Sequence, residues 1–430
     1  MTFKGHYRWV IVALLCVVTV INYIDRSAIS FAVSDITTEF GLSAGQIGLV
    51  LGAFGLGYFV SALVGGVAAD KIGSRLSFAL IVLVWTLAIG WTGAAIGFMT
   101  LYAARVTLGL AEGPSFPTME VAVSRWLPPE ELATALARSL VAVPVALAIG
   151  SPLVSNLIAA FGWRNMFFVM AAMGVLWLPL WWFLFRESPK DSRFVTEAEL
   201  KHISAKWETE KGYKKAPIRW KRLFYTPTLA SNYWAYFVFG YYLFFFMNWL
   251  PEFLRRSYHL DLSQVGSFAI LPWAVAALLM LWFGGWSDKI LRRSGSFRKA
   301  RSYQIAGTQA VAALAIIPIV VVDNLYVAIA SITVAVGASM AANAAYYAVV
   351  VDLVPRAAGT TMGIMTLCFA ASGFLAPVIT GYAVDITGDF RPAFWLLSVL
   401  AISSVFGVLL FHRPDLDKQK LLPLQKAAVE

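Results

Sequence analysis

Long apolar runs separated by short polar stretches repeat along the whole chain of 430 residues. About 20 consecutive apolar residues are enough to cross a lipid bilayer as an α-helix. Twelve runs approach or exceed this length: 9–33, 46–69, 76–96, 98–122, 133–159, 164–185, 229–250, 264–286, 302–322, 325–350, 359–384 and 391–411. The pattern predicts an all-α integral membrane protein with twelve transmembrane helices in two halves of six.

The polar residues between the runs divide the chain into domains. A mixed-charge stretch lies at the centre, and within it Thr196 and Glu199 have the spacing of a capping box, which predicts a short surface helix. We predict an N-terminal six-helix bundle (1–186), a cytoplasmic linker with that helix (187–227), a C-terminal six-helix bundle (228–412) and a cytoplasmic tail (413–430).

Composition agrees with a membrane protein, since 59% of the residues are hydrophobic and 13% are charged, against roughly 25% charged in soluble domains. The net charge of +10 does not indicate nucleic-acid binding. The basic residues gather in loops of one parity, including Lys4 and Arg8, Lys71 and Arg75, and residues 289–301. Because cytoplasmic loops are enriched in Lys and Arg, we expect both termini in the cytoplasm and a multi-pass protein of the inner membrane.

A loop signature occurs once in each half. Gly66 and Asp70–Lys71 follow the second run, and Asp288–Lys289 follow the eighth run after a pair of glycines. Small residues allow two helices to approach closely, and an acid near a helix end interacts with the helix dipole. The repeat indicates a contact that forms and breaks as helix ends move.

These residues carry a family resemblance that covers the whole chain. Gly66-x-x-x-Asp70-Lys71-x-Gly73-x-Arg75 and Arg105-x-x-x-Gly109-x-x-x-Gly113 resemble signatures of the major facilitator superfamily. The resemblance implies that superfamily's fold of two pseudo-symmetric bundles. We assign gating and conformational roles to the signature residues: Gly66, Asp70, Lys71, Gly73, Arg75, Gly109, Gly113, Asp288 and Lys289.

Three further segments narrow the resemblance to the anion:cation symporter branch. They are Asn22-Tyr23-Ile24-Asp25-Arg26, then Arg105 with Glu112-Gly113 and Phe116-Pro117, and Asn248-Trp249-Leu250-Pro251. This branch resembles bacterial galactonate, glucarate and hexuronate carriers and the sialin-like and phosphate-carrier relatives of animals. It also includes carriers of aromatic carboxylates.

Charged residues inside two apolar runs are the candidate chemistry. Asp25 and Arg26 lie in the first run, and Arg105 and Glu112 lie two helical turns apart on one face of the fourth. Charges at membrane depth are costly and mark substrate or proton pathways more often than structural pairs. An arginine binds a carboxylate through two parallel hydrogen bonds, and a buried carboxylate can take up and release a proton. Two structural alternatives remain, an ion pair that joins helices and an Arg105 that only anchors a neighbouring loop.

Polar residues elsewhere complete the predicted site. By analogy with sugar-acid carriers, Arg26, Arg105, Tyr23 and Tyr58 would hold the substrate, whereas Asp25 and Glu112 would carry protons. A packing role is the alternative for Tyr58. The second half has no clear acid or base at depth, so its hydroxyls and amides suit the neutral end of a substrate. The candidates there are Tyr241, Asn343, Tyr347 and Ser372.

Together these features predict a secondary active transporter. The predicted function is proton-coupled symport of a small organic anion, a sugar acid of the hexonate, hexuronate or glucarate type, by alternating access. The fifth run is apolar with Pro144, which keeps an aromatic or short-chain carboxylate as an alternative. A passive uniporter or channel has no need of two buried titratable acids. We expect no enzyme activity, no metal site, no cofactor besides the proton gradient, and a monomer.

Overall fold

The computed structural model describes residues 6–62, 71–204 and 220–426, and these residues are almost entirely helical. The first half contains α1 (Tyr7–Phe31), α2 (Val33–Phe40), α3 (Ala44–Ser61), α4 (Ser74–Gly93), α5 (Phe98–Glu112), α6 (Ser115–Trp126), α7 (Pro129–Leu184) and α8 (Glu197–Ser204). The second half contains α9 (Trp220–Tyr225), α10 (Pro227–Tyr258), α11 (Leu262–Phe268), α12 (Ile270–Ser294), α13 (Tyr303–Val321), α14 (Leu325–Ala341), α15 (Asn343–Leu353), α16 (Ala358–Thr387), α17 (Arg391–Phe411) and α18 (Pro414–Lys426).

Within these described ranges, ten helical segments are long and apolar enough to cross a membrane. One of them, α7, is 56 residues long and divides at Gly162, whose φ of +79° is not helical. Glycine adopts this conformation without steric cost, so one long run forms two spans. The fourth span is interrupted at Pro114, between α5 and α6, and neither helix is long enough to cross by itself. These two additions to the ten segments give twelve spans, and the predicted fold class is confirmed.

Several helix limits differ from the apolar runs. The seventh run ends at residue 250, whereas α10 continues through Pro251 to Tyr258. The tenth run is interrupted at Ala342, between α14 and α15. Polar groups at the membrane surface can remain helical, so hydropathy marks the apolar part of a helix rather than its end.

The chain divides into two compact units. The first comprises residues 1–42 and 53–213, and the second comprises residues 43–52 and 214–430. In the first unit α7 packs along α1 and α4, while in the second α10 packs on α16 and α13 packs on α17.

The helix predicted in the linker is α8, and Thr196 Oγ1 accepts a hydrogen bond from the Glu199 N–H at 3.3 Å. Its Glu199 is buried and accepts hydrogen bonds from the N–H groups of Tyr7 and Arg8 at the start of α1. Arg8 also pairs with Glu131 at 2.7 Å, and this pairing lowers the pKa of the Glu131 carboxyl. The linker helix is therefore attached to the first bundle by buried charge-assisted hydrogen bonds.

Candidate functional site

Two helices of the first unit bring charged side chains together at membrane depth. Helix α1 carries Asp25 and Arg26, while α5 carries Arg105 and Glu112. All four side chains are buried, with at most 1% of any residue exposed. Removing a charge from water costs several kcal/mol unless partners compensate, so the partners of each group determine what the cluster can do.

Arg26 and Glu112 form a fully buried ion pair. Arg26 Nε donates to Glu112 Oε2 at 2.5 Å, and both side chains have zero exposure. This contact uses one edge of the guanidinium only. Its two terminal nitrogens, Nη1 and Nη2, and the second carboxylate oxygen, Oε1, have no hydrogen-bond partner among the described residues.

Three aromatic rings surround the Arg26 guanidinium. Its Cζ atom lies 4.6 Å from the ring centroid of Tyr23, 4.8 Å from that of Phe54 and 5.1 Å from that of Tyr58. A cation over an aromatic face is stabilised by about 0.5–2 kcal/mol. The rings therefore replace part of the hydration that Arg26 loses on burial, while its terminal N–H groups have no hydrogen-bond partner among the described residues.

Arg105 is buried beside the Arg26–Glu112 pair. Within the part of the chain that the structure describes, it forms no ion pair with an acid, and Nε and Nη1 lack any hydrogen-bond acceptor. Its Nη2 makes one long contact, 3.5 Å, to the backbone oxygen of Arg26. Its Cζ lies 5.3 Å from the Phe54 centroid. A guanidinium keeps its charge and can donate two parallel hydrogen bonds to an anion.

Asp25 is buried and forms no ion pair with the described residues, and its Oδ1 has no hydrogen-bond donor among them. It lies one position before Arg26, about 100° around the helix, so the two neighbours point in different directions. The cluster thus contains two cations, the carboxylate of Glu112, which is paired, and that of Asp25, which forms no ion pair with a described residue.

Glycines set the spacing between α3 and α5, which brings Phe54 and Tyr58 against the arginines. A Cβ on Gly57 would collide with the backbone oxygen of Val106, and one on Gly109 with the backbone oxygen of Phe54. A Cβ on Gly113 would collide with the hydroxyl of Ser61. This small-residue contact is typical of closely packed membrane helices. Gly109 and Gly113, for which we predict a conformational role, lie at this close crossing of α3 and α5.

The structure brings together five of the six residues assigned to the charged end. Tyr23, Arg26, Tyr58, Arg105 and Glu112 lie in one cluster, whereas Asp25 is buried beside it without an ion-pair partner among the described residues. Sequence reasoning missed Phe54, which contacts both guanidinium groups. The available signal was its position one helical turn before Tyr58, on the same face of α3.

The four substrate-binding candidates of the second half each contact different residues. The hydroxyls of Tyr347 and Tyr236 lie 2.8 Å apart, and Tyr236 was not predicted. Ser372 donates to the backbone oxygen of Phe369 at 2.6 Å, while Tyr241 is buried with its ring 6.2 Å from that of Phe237. Asn343 is buried with Oδ1 lacking a donor among the described residues.

The loop-signature residues are only partly described. Gly66 and Asp70 lie outside the described residues. Gly73 has a φ of +84° before α4 begins, and Lys71 is exposed. Arg75 donates to the backbone oxygen of Trp182, and its own N–H donates to Glu187 at 2.9 Å. In the second half Asp288 pairs with Arg301 at 2.8 Å, whereas Lys289 is exposed.

Twelve apolar spans with a buried charged cluster at membrane depth are typical of a multi-pass membrane transporter. A family model described as Major Facilitator Superfamily matches residues 15–377 and 310–429. The chain therefore belongs to the Major Facilitator Superfamily, as the loop signatures indicated.

Curated relatives are similar over nearly their whole length. "Probable sulfoacetate transporter SauU" of Cupriavidus necator is 32% identical over 403 residues, covering 93% of each chain. The hexuronate transporter of Bacillus subtilis is 30% identical over 413 residues, covering 95% of each. A crystal structure of a bacterial homolog of the human lysosomal transporter Spinster, in an inward-facing and unoccupied conformation, aligns with a TM-score of 0.77. That alignment covers 96% of this chain and 98% of the other at 19% identity, which supports the fold alone.

Proposed function

We propose that this chain is a proton-coupled symporter that takes up a small organic anion by alternating access. The observation that carries the proposal is the buried guanidinium of Arg105, which forms no ion pair with any described residue and lies beside that of Arg26, whose Nε alone is bonded to Glu112. Among the described residues both retain donors that no protein acceptor satisfies. A carboxylate or sulfonate supplies the missing acceptors, and arginine keeps its charge at every physiological pH.

Glu112 provides a route for coupling to protons. While Glu112 is ionised it accepts the hydrogen bond from Arg26 Nε and neutralises Arg26, so an incoming anion can pair only with Arg105. Protonation removes the negative charge of Glu112 and releases Arg26, so both guanidinium groups can then bind the anion. Asp25, buried without an ion-pair partner among the described residues, is the second proposed proton carrier. Proton uptake therefore favours anion binding, and release of either weakens the binding of the other.

The substrate class that we propose first is a sugar acid of the hexonate, hexuronate or glucarate type. The support comes from relatives named as a hexuronate transporter and as a "Probable galactarate/D-glucarate transporter", each 30% identical and both from Bacillus subtilis. We propose that Tyr23 and Tyr58 hold the charged end of such a substrate together with Arg26 and Arg105. The neutral end would bind hydroxyls and amides of the second half, for which we propose Tyr241, Asn343, Tyr347 and Ser372. The hydroxyl pair of Tyr236 and Tyr347 adds one residue to this set.

A short-chain carboxylate is the alternative. It is supported by the 32% identity to "Probable sulfoacetate transporter SauU", since sulfoacetate is a short acid without hydroxyl groups. The apolar fifth span with Pro144 also offers few partners to a polyhydroxylated substrate. We further propose that the protein works as a monomer in the inner membrane. Its termini would lie in the cytoplasm, a placement that the loop charges support.

Uptake into proteoliposomes tests the proposal. Labelled glucuronate, glucarate, sulfoacetate and an aromatic carboxylate are supplied with and without an inward proton gradient. We expect one of these acids to accumulate only with the gradient. Asp25→Asn and Glu112→Gln should lose that accumulation while retaining part of the exchange of internal for external substrate. Uptake that ignores the gradient would refute symport, and unchanged accumulation in both variants would refute the proton assignment.

A further inference from the structure

An exposed stripe on α12 changes along the helix from apolar to basic. Trp282, Trp286, Lys289 and Arg293 are spaced by four, three and four residues, so they lie along one face. Trp282 and Trp286 are 62% and 43% exposed, and their rings stack at 5.9 Å with an angle of 5°. Arg292, beside Arg293, is exposed as well. We call residues 282, 286, 289, 292 and 293 the α12 stripe.

The structure separates the cations of this region into those with partners and those without. Arg301 pairs with Asp288 at 2.8 Å and Asp352 at 3.2 Å, and Arg298 donates to the backbone oxygen of Leu409 at 3.0 Å. Lys289, Arg292 and Arg293 form no ion pair with any described residue. The sequence assigned all of them to one basic cluster, so only the contacts show which charges remain available.

The acids at this end of α12 are already engaged. Asp288 and Asp352 bind Arg301, and Asp415 accepts hydrogen bonds from the N–H groups of Phe297 and Arg298. The α12 stripe is therefore a local excess of positive charge, and the complementary ligand is anionic.

The apolar part of the stripe identifies which kind of anion fits. Leu278 and Leu281, which precede Trp282 on α12, are 67% and 59% exposed and extend the apolar surface. At Gly285 an added Cβ would meet no atom within 4 Å, so the helix surface is open one turn before Lys289. Tryptophan is enriched where a membrane meets water, and basic residues beside it attract anionic headgroups. A ligand with acyl chains and a phosphate matches both parts, whereas free phosphate matches only the basic end.

We propose that the α12 stripe binds an anionic phospholipid, with its phosphate on Lys289, Arg292 and Arg293 and an acyl chain along Trp282 and Trp286. This interaction is separate from the transport site, and it does not depend on which substrate is carried.

The test measures binding of palmitoyl-oleoyl phosphatidylglycerol to the full chain in detergent by native mass spectrometry, with phosphatidylcholine as the neutral comparison. We expect the wild-type protein to prefer phosphatidylglycerol and Arg292→Gln/Arg293→Gln to bind it roughly 30-fold more weakly, since each cation near an anionic surface contributes a factor of about five. The control Lys190→Gln/Lys201→Gln removes two exposed lysines of the first unit and should bind like the wild type.

Two further measurements keep the result decisive. Arg292→Lys/Arg293→Lys preserves charge and should retain binding, and the preference of the wild type should weaken as salt rises. These hold even if the glutamine variant fails to fold. Equal binding by the glutamine variant and the wild type would overturn the proposal. So would equal protection from thermal unfolding by glycerol phosphate, because the site would then bind free phosphate rather than lipid.

Discussion

Arg26 Nε lies 2.5 Å from Glu112 Oε2, in a contact between two side chains that solvent does not reach. The two residues are 86 positions apart in the chain, and the pair leaves the terminal nitrogens of Arg26 without acceptors among the described residues. A buried ion pair stabilises a protein most when further hydrogen bonds satisfy the remaining donors and acceptors of both partners. The unused donors here are consistent with a pair that opens when a substrate binds.

Glu112→Gln should separate anion binding from proton coupling. The amide cannot ionise, so Arg26 is no longer neutralised. Across the range from mildly acidic to mildly alkaline, anion affinity should therefore depend less on pH than in the wild type, and Asp25 is the proposed source of the remaining dependence. Substrate binding measured by isothermal titration across that range checks this expectation. A pH dependence equal to that of the wild type would show that another group carries the proton. Glu131→Gln, which changes a carboxylate outside the site, serves as the control.

Arg105→Lys should abolish most transport although it preserves the charge. Lysine is a point charge without the planar fork that binds a carboxylate through two bonds. We expect the uptake rate at low substrate concentration to fall by about 100-fold, corresponding to about 2–3 kcal/mol for a charge-assisted contact. Arg138→Lys is the control, since Arg138 is exposed and its Cζ lies 4.4 Å from the Trp9 ring. Near-normal uptake by Arg105→Lys would show that Arg105 only anchors the helix.

Phe54→Leu should weaken transport with little effect on folding. Leucine keeps an apolar side chain but removes the ring that both guanidinium groups face. A loss of about 0.5–2 kcal/mol corresponds to a KM raised by roughly two- to thirty-fold. Phe59→Leu, on the same helix at a position that is 41% exposed, is the matched control. If both variants raised KM equally, the rings would have no specific role.

Gly109→Ala should destabilise the first unit. Its Cβ would collide with the backbone oxygen of Phe54, which cannot move without separating α3 from α5. We expect a loss of about 1–3 kcal/mol, as for other overpacked contacts, seen as a lower melting temperature in detergent. Gly307→Ala, where an added Cβ meets nothing within 4 Å, should be neutral or slightly stabilising. Equal melting temperatures for the two variants would argue against a rigid crossing.

His412 should make the protein less stable as pH falls. It follows α17, is fully buried and has neither ring nitrogen hydrogen-bonded to a described residue. Burial, together with the positive charge of Arg298, lowers its pKa to about 3. Below the unfolded-state value of about 6.5, the unfolded chain binds a proton that the folded chain does not. Stability is therefore unaffected above that pH and declines by up to about 1.4 kcal/mol per unit below it, until pH approaches the folded-state pKa.

Melting temperatures measured from neutral pH down to about two units below it check this expectation against two variants. His412→Leu should remove part of the acid-side decline, whereas His6→Gln, at an exposed position, should leave it unchanged. An unchanged decline in His412→Leu would assign the acid sensitivity to other groups.

The sequence by itself determined the spans, the two-half organisation and most of the charged cluster. Hydropathy shows span number because a bilayer requires a fixed length of apolar helix. The seven-residue spacing of Arg105 and Glu112 placed both on one face because helix geometry is local. The interruptions at Gly162 within α7 and at Pro114 before α6 are also visible in the sequence, because glycine and proline often end a helix.

The tertiary structure alone decided which of these groups are partners. The sequence could not show that Glu112 binds Arg26 rather than Arg105, or that Phe54 faces both cations, because these contacts join separate helices. Likewise, the sequence grouped Arg301 with Lys289, Arg292 and Arg293. Of these four residues, only Arg301 forms ion pairs with acids of the described chain. Pairing depends on how helices pack, and helices that are distant in the sequence pack according to how their side chains fit together.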